Sequence, residues 1–238
     1  MANQDVQSSS GKTKKRDFIE LEFLGRDALT GEAFDTNIPS EAKKLNLKAE
    51  AKPMIICIGE DMVVKGFDKA LEDKESGKKY KIKLSPDEAF GKRIAKLVKL
   101  IPKKIFTDNK MQPVAGMTVA LDNMIARIVS ASGGRIMVDF NNPLAGKEIE
   151  YEFEVKRFVT DTKEKVNSIQ NFFFRQEFPF DLDNEKRKII FDDVNLTQVL
   201  NMFKDKFKEL VGYDVEIFAK TEKQEKSEKI EEKSEISV

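Results

Sequence analysis

The sequence predicts an α+β protein dominated by antiparallel strands. Three observations carry this. Short segments with two-residue alternation of apolar and charged side chains recur between Asp17 and Thr160. Helical periodicity is confined to a short segment bracketed by Gly66 and Gly77 and to longer stretches after Thr160. Charge is unevenly spread: residues 91–145 hold nine Lys and Arg against three Asp, a net of +6, although the whole chain sums to zero. A local shift of that size marks a separate module.

The elements follow in order. Residues 1–14 are polar, rich in Ser, Lys and Gln, and read as a disordered tail. "DFIELEFLG" is a half-buried strand in which Ile19, Leu21 and Phe23 alternate with Glu20 and Glu22. "GEAFDTN" follows a turn, and "IPSEAKKLNLKAEAKP" is a polar excursion ending at Pro53. "PMIICIG" is a second apolar strand. In "EDMVVKGFDKALEDKESGKK" Phe67, Ala70 and Leu71 fall on one face of a short helix. "KKYKIKLSP" alternates again until Pro86. "GMTVALDNMIARIVSASGGRIMVDF" reads as three strands, the last two joined by a turn at Ser132-Gly133-Gly134. "VDFNNPLAGKEIEYEF" breaks at Asn-Asn-Pro and resumes as a strand from Ile149. Beyond Thr160, "TKEKVNSIQNFFF" suggests a helix and "RKIIF" a strand. The stripe Leu196, Val199, Leu200, Phe203, Phe207 and Leu210 predicts a helix, with Asp193 or Asn195 to cap it and Gly212 just past its end. "YDVEIFA" closes the module, and 221–238 reads as a charged disordered tail.

Composition excludes several chemistries. The 238-residue chain contains no histidine, which removes the commonest general base and metal ligand and any triad built on them. Its one cysteine, Cys57, lies in an apolar run and reads as core; it excludes a disulfide framework and favours a reducing compartment. No apolar run approaches the ~20 residues of a membrane span, and "MANQDVQSSSGKTKKRD" has no hydrophobic signal segment. A cytoplasmic location without membrane contact, and no cofactor or metal, are the expectations.

The blocks "FDTN", "PMIICIGEDMVVKGFDKAL", "KIKLSPDEAFG" and "YEFEV" occur in the order found in FKBP-type peptidyl-prolyl isomerases, which the chain resembles over residues 16–91 and 147–158. The resemblance implies an antiparallel sheet wrapped on a short helix. In the small members the "AFG" block leads directly to the last strand; the long intervening segment here resembles the SlyD-like, archaeal long branch, which carries a β-rich insert-in-flap domain. "VDFNNPLAGKE" resembles the exit from that insert, with Asn142 where the family commonly has His. The implied organisation is an isomerase domain at 15–91 and 146–160, an insert at 92–145, and a C-terminal α+β module at 161–220.

The resemblance also implies the site. Asp35, Val64, Phe67 and Phe90 carry the catalytic roles: Phe67 as floor under the proline ring, the Val64 N–H as donor to a substrate carbonyl, Asp35 as the polar group of the wall. Phe23, Phe34, Met54, Val63 and Tyr151 complete the substrate pocket. Phe23 and Phe90 stand where many members have Tyr, Phe67 where many have Trp, and Met54 where many have an aromatic ring; the Phe90 change removes one substrate hydrogen bond. X–Pro rotation needs no acid, base or metal, so a chain without histidine is competent for it. Unfolded or nascent chains with X–Pro bonds are the implied partners. The insert is implied to bind them through Leu97, Leu100, Met117, Met124 and Met137, since Met repacks readily on promiscuous surfaces. A plain small β core is the alternative for these residues. The basic insert is also compatible with a ribosome contact, against the simpler reading of a solvated face. "NFFF" and "EFPF" in the C-terminal module are aromatic enough to pack it, to bind clients or to form a homodimer. A holdase chaperone with a weak isomerase domain is the alternative function.

Overall fold

The computed structural model describes residues 11–45, 53–121 and 123–217. Residues 1–10 of the expected tail at 1–14, and the whole expected tail at 221–238, lie outside the described residues.

β1 (Phe18–Asp27) is the centre of the first sheet. β2 (Ala33–Thr36) returns from a turn to pair with its second half. A six-residue helix, α1 (Pro39–Lys44), lies within the polar excursion, and β3 (Met54–Cys57) then pairs with the first half of β1. α2 (Lys65–Ala70) follows, burying Phe67 and Leu71 as the periodicity predicts. β4 (Lys79–Leu84) becomes the far edge.

The chain then leaves this sheet. β5 (Val98–Pro102), α3 (Lys103–Asp108), β6 (Thr118–Leu121), β7 (Met124–Ser132) and β8 (Arg135–Asp139) form a second sheet, order β5–β8–β7–β6, entirely antiparallel. Gly133 and Gly134 both adopt positive φ, at 59° and 77°, as a two-residue hairpin turn requires. Phe106 from α3 plugs a small core of Val119, Ala126, Ile128, Ile136 and Val138. Entry and exit run side by side: Gly146 N–H donates to Gly91 O at 2.8 Å, Arg93 pairs with Asp139, and the Asn141 amide both accepts from Ile94 N–H and donates to Ile94 O.

β9 (Ile149–Phe158) returns to the first sheet between β1 and β4, giving the order β2–β1–β9–β4. A bulge between Glu20 and Leu21 shifts its register against β1. α4 (Thr162–Phe174) starts at an Asp161 cap whose carboxylate accepts from Glu164 N–H at 2.9 Å. β10 (Phe180–Asp183) and β11 (Lys188–Phe191) pair antiparallel. α5 (Thr197–Val211), closed by Gly212 at φ 79°, is the crossover to β12 (Asp214–Ile217), which pairs parallel with β11.

Two expectations are corrected. Gly11–Lys14 do not belong to a loose tail: Thr13 is buried, its hydroxyl donates to Leu71 O, and its backbone exchanges hydrogen bonds with Asp73 and Lys74. Composition cannot show this, because the polar side chain is satisfied inside rather than solvated. In the α5 stripe Leu200 and Phe207 are buried but Val199 is exposed, because the helix rests on its sheet with a narrower face than the sequence pattern suggests.

Ile189, Phe191, Leu200, Phe207 and Val215 continue through Val159, Val166 and Ile169 into Phe18, Ile56 and Phe67. The first sheet and the C-terminal segment thus share one apolar cluster, while the second sheet has its own.

Candidate active site

Strand alternation sends Phe23 and Gly25 of β1, and Tyr151 and Phe153 of β9, to the face covered by α2. Phe67 lies at the centre of that face, 1% exposed. Its ring stacks on Tyr151 at 4.3 Å and 11°, and meets Phe23 and Phe153 edge-on at 5.8 and 5.1 Å. Phe34 reaches over from β2, 5.9 Å from Tyr151, and Phe90 meets Phe34 edge-on at 5.7 Å. Phe23, Phe67 and Tyr151 form a buried floor, while Phe34, Phe90, Met54, Val63 and Val64 remain half-buried around it.

Each ring is held by backbone chemistry. A Cβ at Gly25 would stand 2.7 Å from the Phe34 ring and 2.8 Å from Tyr151, so only glycine allows the two rings to close over β1. The "FDTN" block clamps β1 with side chains: the Asn37 carbonyl accepts from Phe23 N–H at 2.8 Å, its amide donates to Leu21 O at 2.7 Å, and the Thr36 hydroxyl donates to Phe23 O at 2.7 Å. The turn bearing Phe90 is a capping box: Ser85 N–H and hydroxyl both donate to the Glu88 carboxylate, and Gly91 closes it at φ 78°. Gly66 lets α2 approach that turn, because a Cβ there would lie 2.8 Å from Glu88 O.

The loop leading into α2 is tied down by Asp68. This buried carboxylate accepts from Gly59 N–H through both oxygens at 3.0 Å and from Asp61 N–H at 3.2 Å. Burial pushes its pKa up, against the pull of those N–H groups. Val64 is the N-cap of α2, and its carbonyl accepts from Asp68 N–H; among the described residues no acceptor meets the Val64 N–H.

Asp35 follows Phe34 and stands exposed at the edge of the ring cluster. The protein around its carboxyl still removes enough water to push its pKa up, against the Thr36 N–H. Burial, and next the Asp35 charge, push the Tyr151 hydroxyl up as well.

All nine residues expected of the site therefore lie on or beside one face of the first sheet. Gly25, Thr36, Asn37, Gly66, Asp68 and Phe153 were not singled out. Gly25 carried a readable signal, a glycine inside an alternating strand; Asp68 carried none. On the opposite sheet face, a groove beside Ile38, Ser40 and Glu41 is lined by Glu22, Arg26, Lys79, Lys81, Glu152, Glu154 and Lys156. Lys81 and Lys156 pair there with Glu150, Glu152, Glu154 and Glu22, and Leu24, Tyr80 and Phe153 also line it, so the groove mixes charged and apolar groups where the ring cluster is almost wholly aromatic.

Of the residues expected to hold clients, Leu100, Met117 and Met124 are exposed, and Leu97 and Met137 are half-buried. Leu100 pairs directly with Met137 across β5 and β8. Ile125, 75% exposed, and Val129 lie on the second sheet as well.

Among the described residues no helix is long and apolar enough to cross a membrane. Residues 99–144 match the family model described as "FKBP26, IF domain". A short-type peptidyl-prolyl cis-trans isomerase of Methanocaldococcus jannaschii is 27% identical over 146 residues, covering 60% of this chain and 92% of that protein. An FKBP-type peptidyl-prolyl cis-trans isomerase SlyD of Helicobacter pylori is 27% identical over 169 residues, 70% of this chain and 82% of that protein. The FKBP-type 16 kDa peptidyl-prolyl cis-trans isomerase of Escherichia coli is 30% identical over 108 residues, 44% of this chain and 72% of that protein. With the ordered sequence blocks and the antiparallel sheet closed over α2, these matches establish that the chain belongs to the FKBP-type peptidyl-prolyl cis-trans isomerases.

Proposed function

We propose that isomerisation takes place on the ring cluster and that the second sheet supplies it with unfolded chains. The observation that carries the first half is the convergence of Phe23, Phe34, Phe67, Phe90 and Tyr151 beside one carboxylate, Asp35, in a member of this family. An X–Pro amide resists rotation by ~18–20 kcal/mol because it is conjugated, and uncatalysed exchange takes roughly tens to hundreds of seconds. Rotation breaks the conjugation and leaves a less polar amide. An apolar, water-poor surface therefore favours the twisted form over the planar one. The proline ring rests over the floor made by Phe67 and Tyr151, between Phe34, Phe90, Met54 and Val63. The Val64 N–H holds a flanking carbonyl in a fixed direction, so no reorganisation is needed as the amide twists. Asp35 keeps a polar wall opposite the rings.

The second half rests on the apolar side chains that the second sheet leaves in water, among them Leu100, Met124, Ile125 and Val129. Exposed apolar patches of this kind mark binding surfaces. The same exposure favours the second reading, a holdase whose isomerase site is weak.

The test uses a short X–Pro peptide. Asp35→Ala and Phe90→Ala lower kcat/KM by about tenfold or more, with both variants folded by circular dichroism. Unchanged rates in both contradict the site. Val199 and Met202, exposed on α5, are the surface through which we propose a homodimer; Met202→Glu then yields monomers by sedimentation, and an unchanged mass contradicts it.

A further inference from the structure

α5 lies outside the sheet that carries the ring cluster, yet it reaches the loop that enters α2. Lys206 Nζ lies 2.7 Å from the Glu60 carboxylate and 3.5 Å from Glu209, which in turn pairs with Arg16. The Glu60 side chain is only 10% exposed although it sits on a loop, and Lys206 is its one salt-bridge partner among the described residues.

Glu60 occupies the middle of the turn that Asp68 gathers. Its two neighbours donate their N–H groups to that buried carboxylate. Both neighbours also hold left-handed backbone, Gly59 at φ 88° and Asp61 at φ 52°. Asp tolerates that conformation at small cost, and the hydrogen bond from Asp61 N–H to Asp68 holds it there. Met62, Val63 and Val64 follow directly. With Lys206 gone, the carboxylate of a side chain that is nine-tenths covered is left without its cation, an arrangement that costs more than an exposed pair contributes. Its relief is to rotate into water, which draws Gly59 and Asp61 away from Asp68 and loosens the segment ending at the Val64 N–H.

We infer that Lys206 is a positioning residue for the isomerase site, acting from the C-terminal segment through Glu60 on the Gly59–Val64 loop. This rests on the site proposed above. It gives that segment a role in the reaction in addition to its packing against the first sheet.

The experiment uses the full chain and a short X–Pro peptide, at a temperature where every variant is folded. Lys206→Met lowers kcat/KM by about three- to tenfold, as expected of a misplaced donor, and Lys206→Arg restores it. Glu60→Gln leaves no unpaired carboxylate to expel and loses less than Lys206→Met, and the double variant Glu60→Gln/Lys206→Met stays close to Glu60→Gln alone. Phe90→Ala serves as the control for the site. A Lys206→Met protein with lowered Tm but unchanged kcat/KM, beside a depressed Phe90→Ala, overturns the inference and leaves the site standing. Unchanged rates in both overturn the two together. Losses from Glu60 and Lys206 that simply add also overturn it.

Discussion

Gly25 shapes the ring cluster by having no side chain. A methyl group there meets Phe34 and Tyr151 at less than 3 Å, so one of the two rings must move. Gly25→Ala therefore destabilises the fold by about 1–3 kcal/mol, the usual cost of overpacking, and lowers isomerase activity more than that loss accounts for; urea unfolding and a peptide assay on one preparation check both parts. Asp35 makes the opposite contribution. Its folded pKa is raised above 3.8 by lost solvation, so the folded chain takes up its proton more readily than the unfolded one. That works against folding above the folded pKa and fades as the pH falls through it toward 3.8. Asp35→Asn is accordingly more stable than the parent at pH 7, and the gap narrows on acidification; a gap that widens instead contradicts the assignment. At this scale, sequence reading found the residues that resemble a family pattern and missed those that act by absence or concealment. Thr13 and Asp68 look like surface residues in the chain, and only their hydrogen bonds, to Leu71 O and from Gly59 and Asp61, make them interior.

α2 is six residues long, too short to hold itself in water. Its position comes from Phe67 and Leu71 in the core, from Gly66 against the Glu88 turn, and from Asp68 on the preceding loop. Asp68→Ala removes a buried acceptor of two N–H groups and costs about 2–3 kcal/mol, read as a shift in the urea midpoint with the slope unchanged. β1, β4 and β9 were legible because their apolar residues lie on the more buried face and charged residues alternate with them, which writes a two-residue period into the chain. β7 and β8 were legible from their glycine turn. β10 was not: it is four residues long, follows Pro179, and owes its existence to pairing with β11 rather than to its own pattern. α1 hid in a polar stretch for the same reason, since only Ala42 of its six residues is buried.

For the whole molecule, the second sheet hangs from a neck that brings Gly91 and Gly146 within one hydrogen bond. Its core is separate from that of the first sheet, whereas the C-terminal segment shares the first sheet's core. Replacing residues 92–145 by a short loop should therefore leave activity on a short peptide intact and reduce it on a refolding protein. Equal loss on both substrates contradicts the division of labour. The sequence marked this module by its charge and its alternating strands, but not the continuity between β3, α4 and α5, because apolar residues carry no record of which partner covers them. The most direct measurement is the refolding rate of a model protein limited by proline isomerisation, with this chain present well below stoichiometric amounts. Acceleration with turnover, lost in Asp35→Ala, is the predicted result. Suppressed aggregation at stoichiometric amounts without acceleration would contradict catalysis at the ring cluster and leave a holdase.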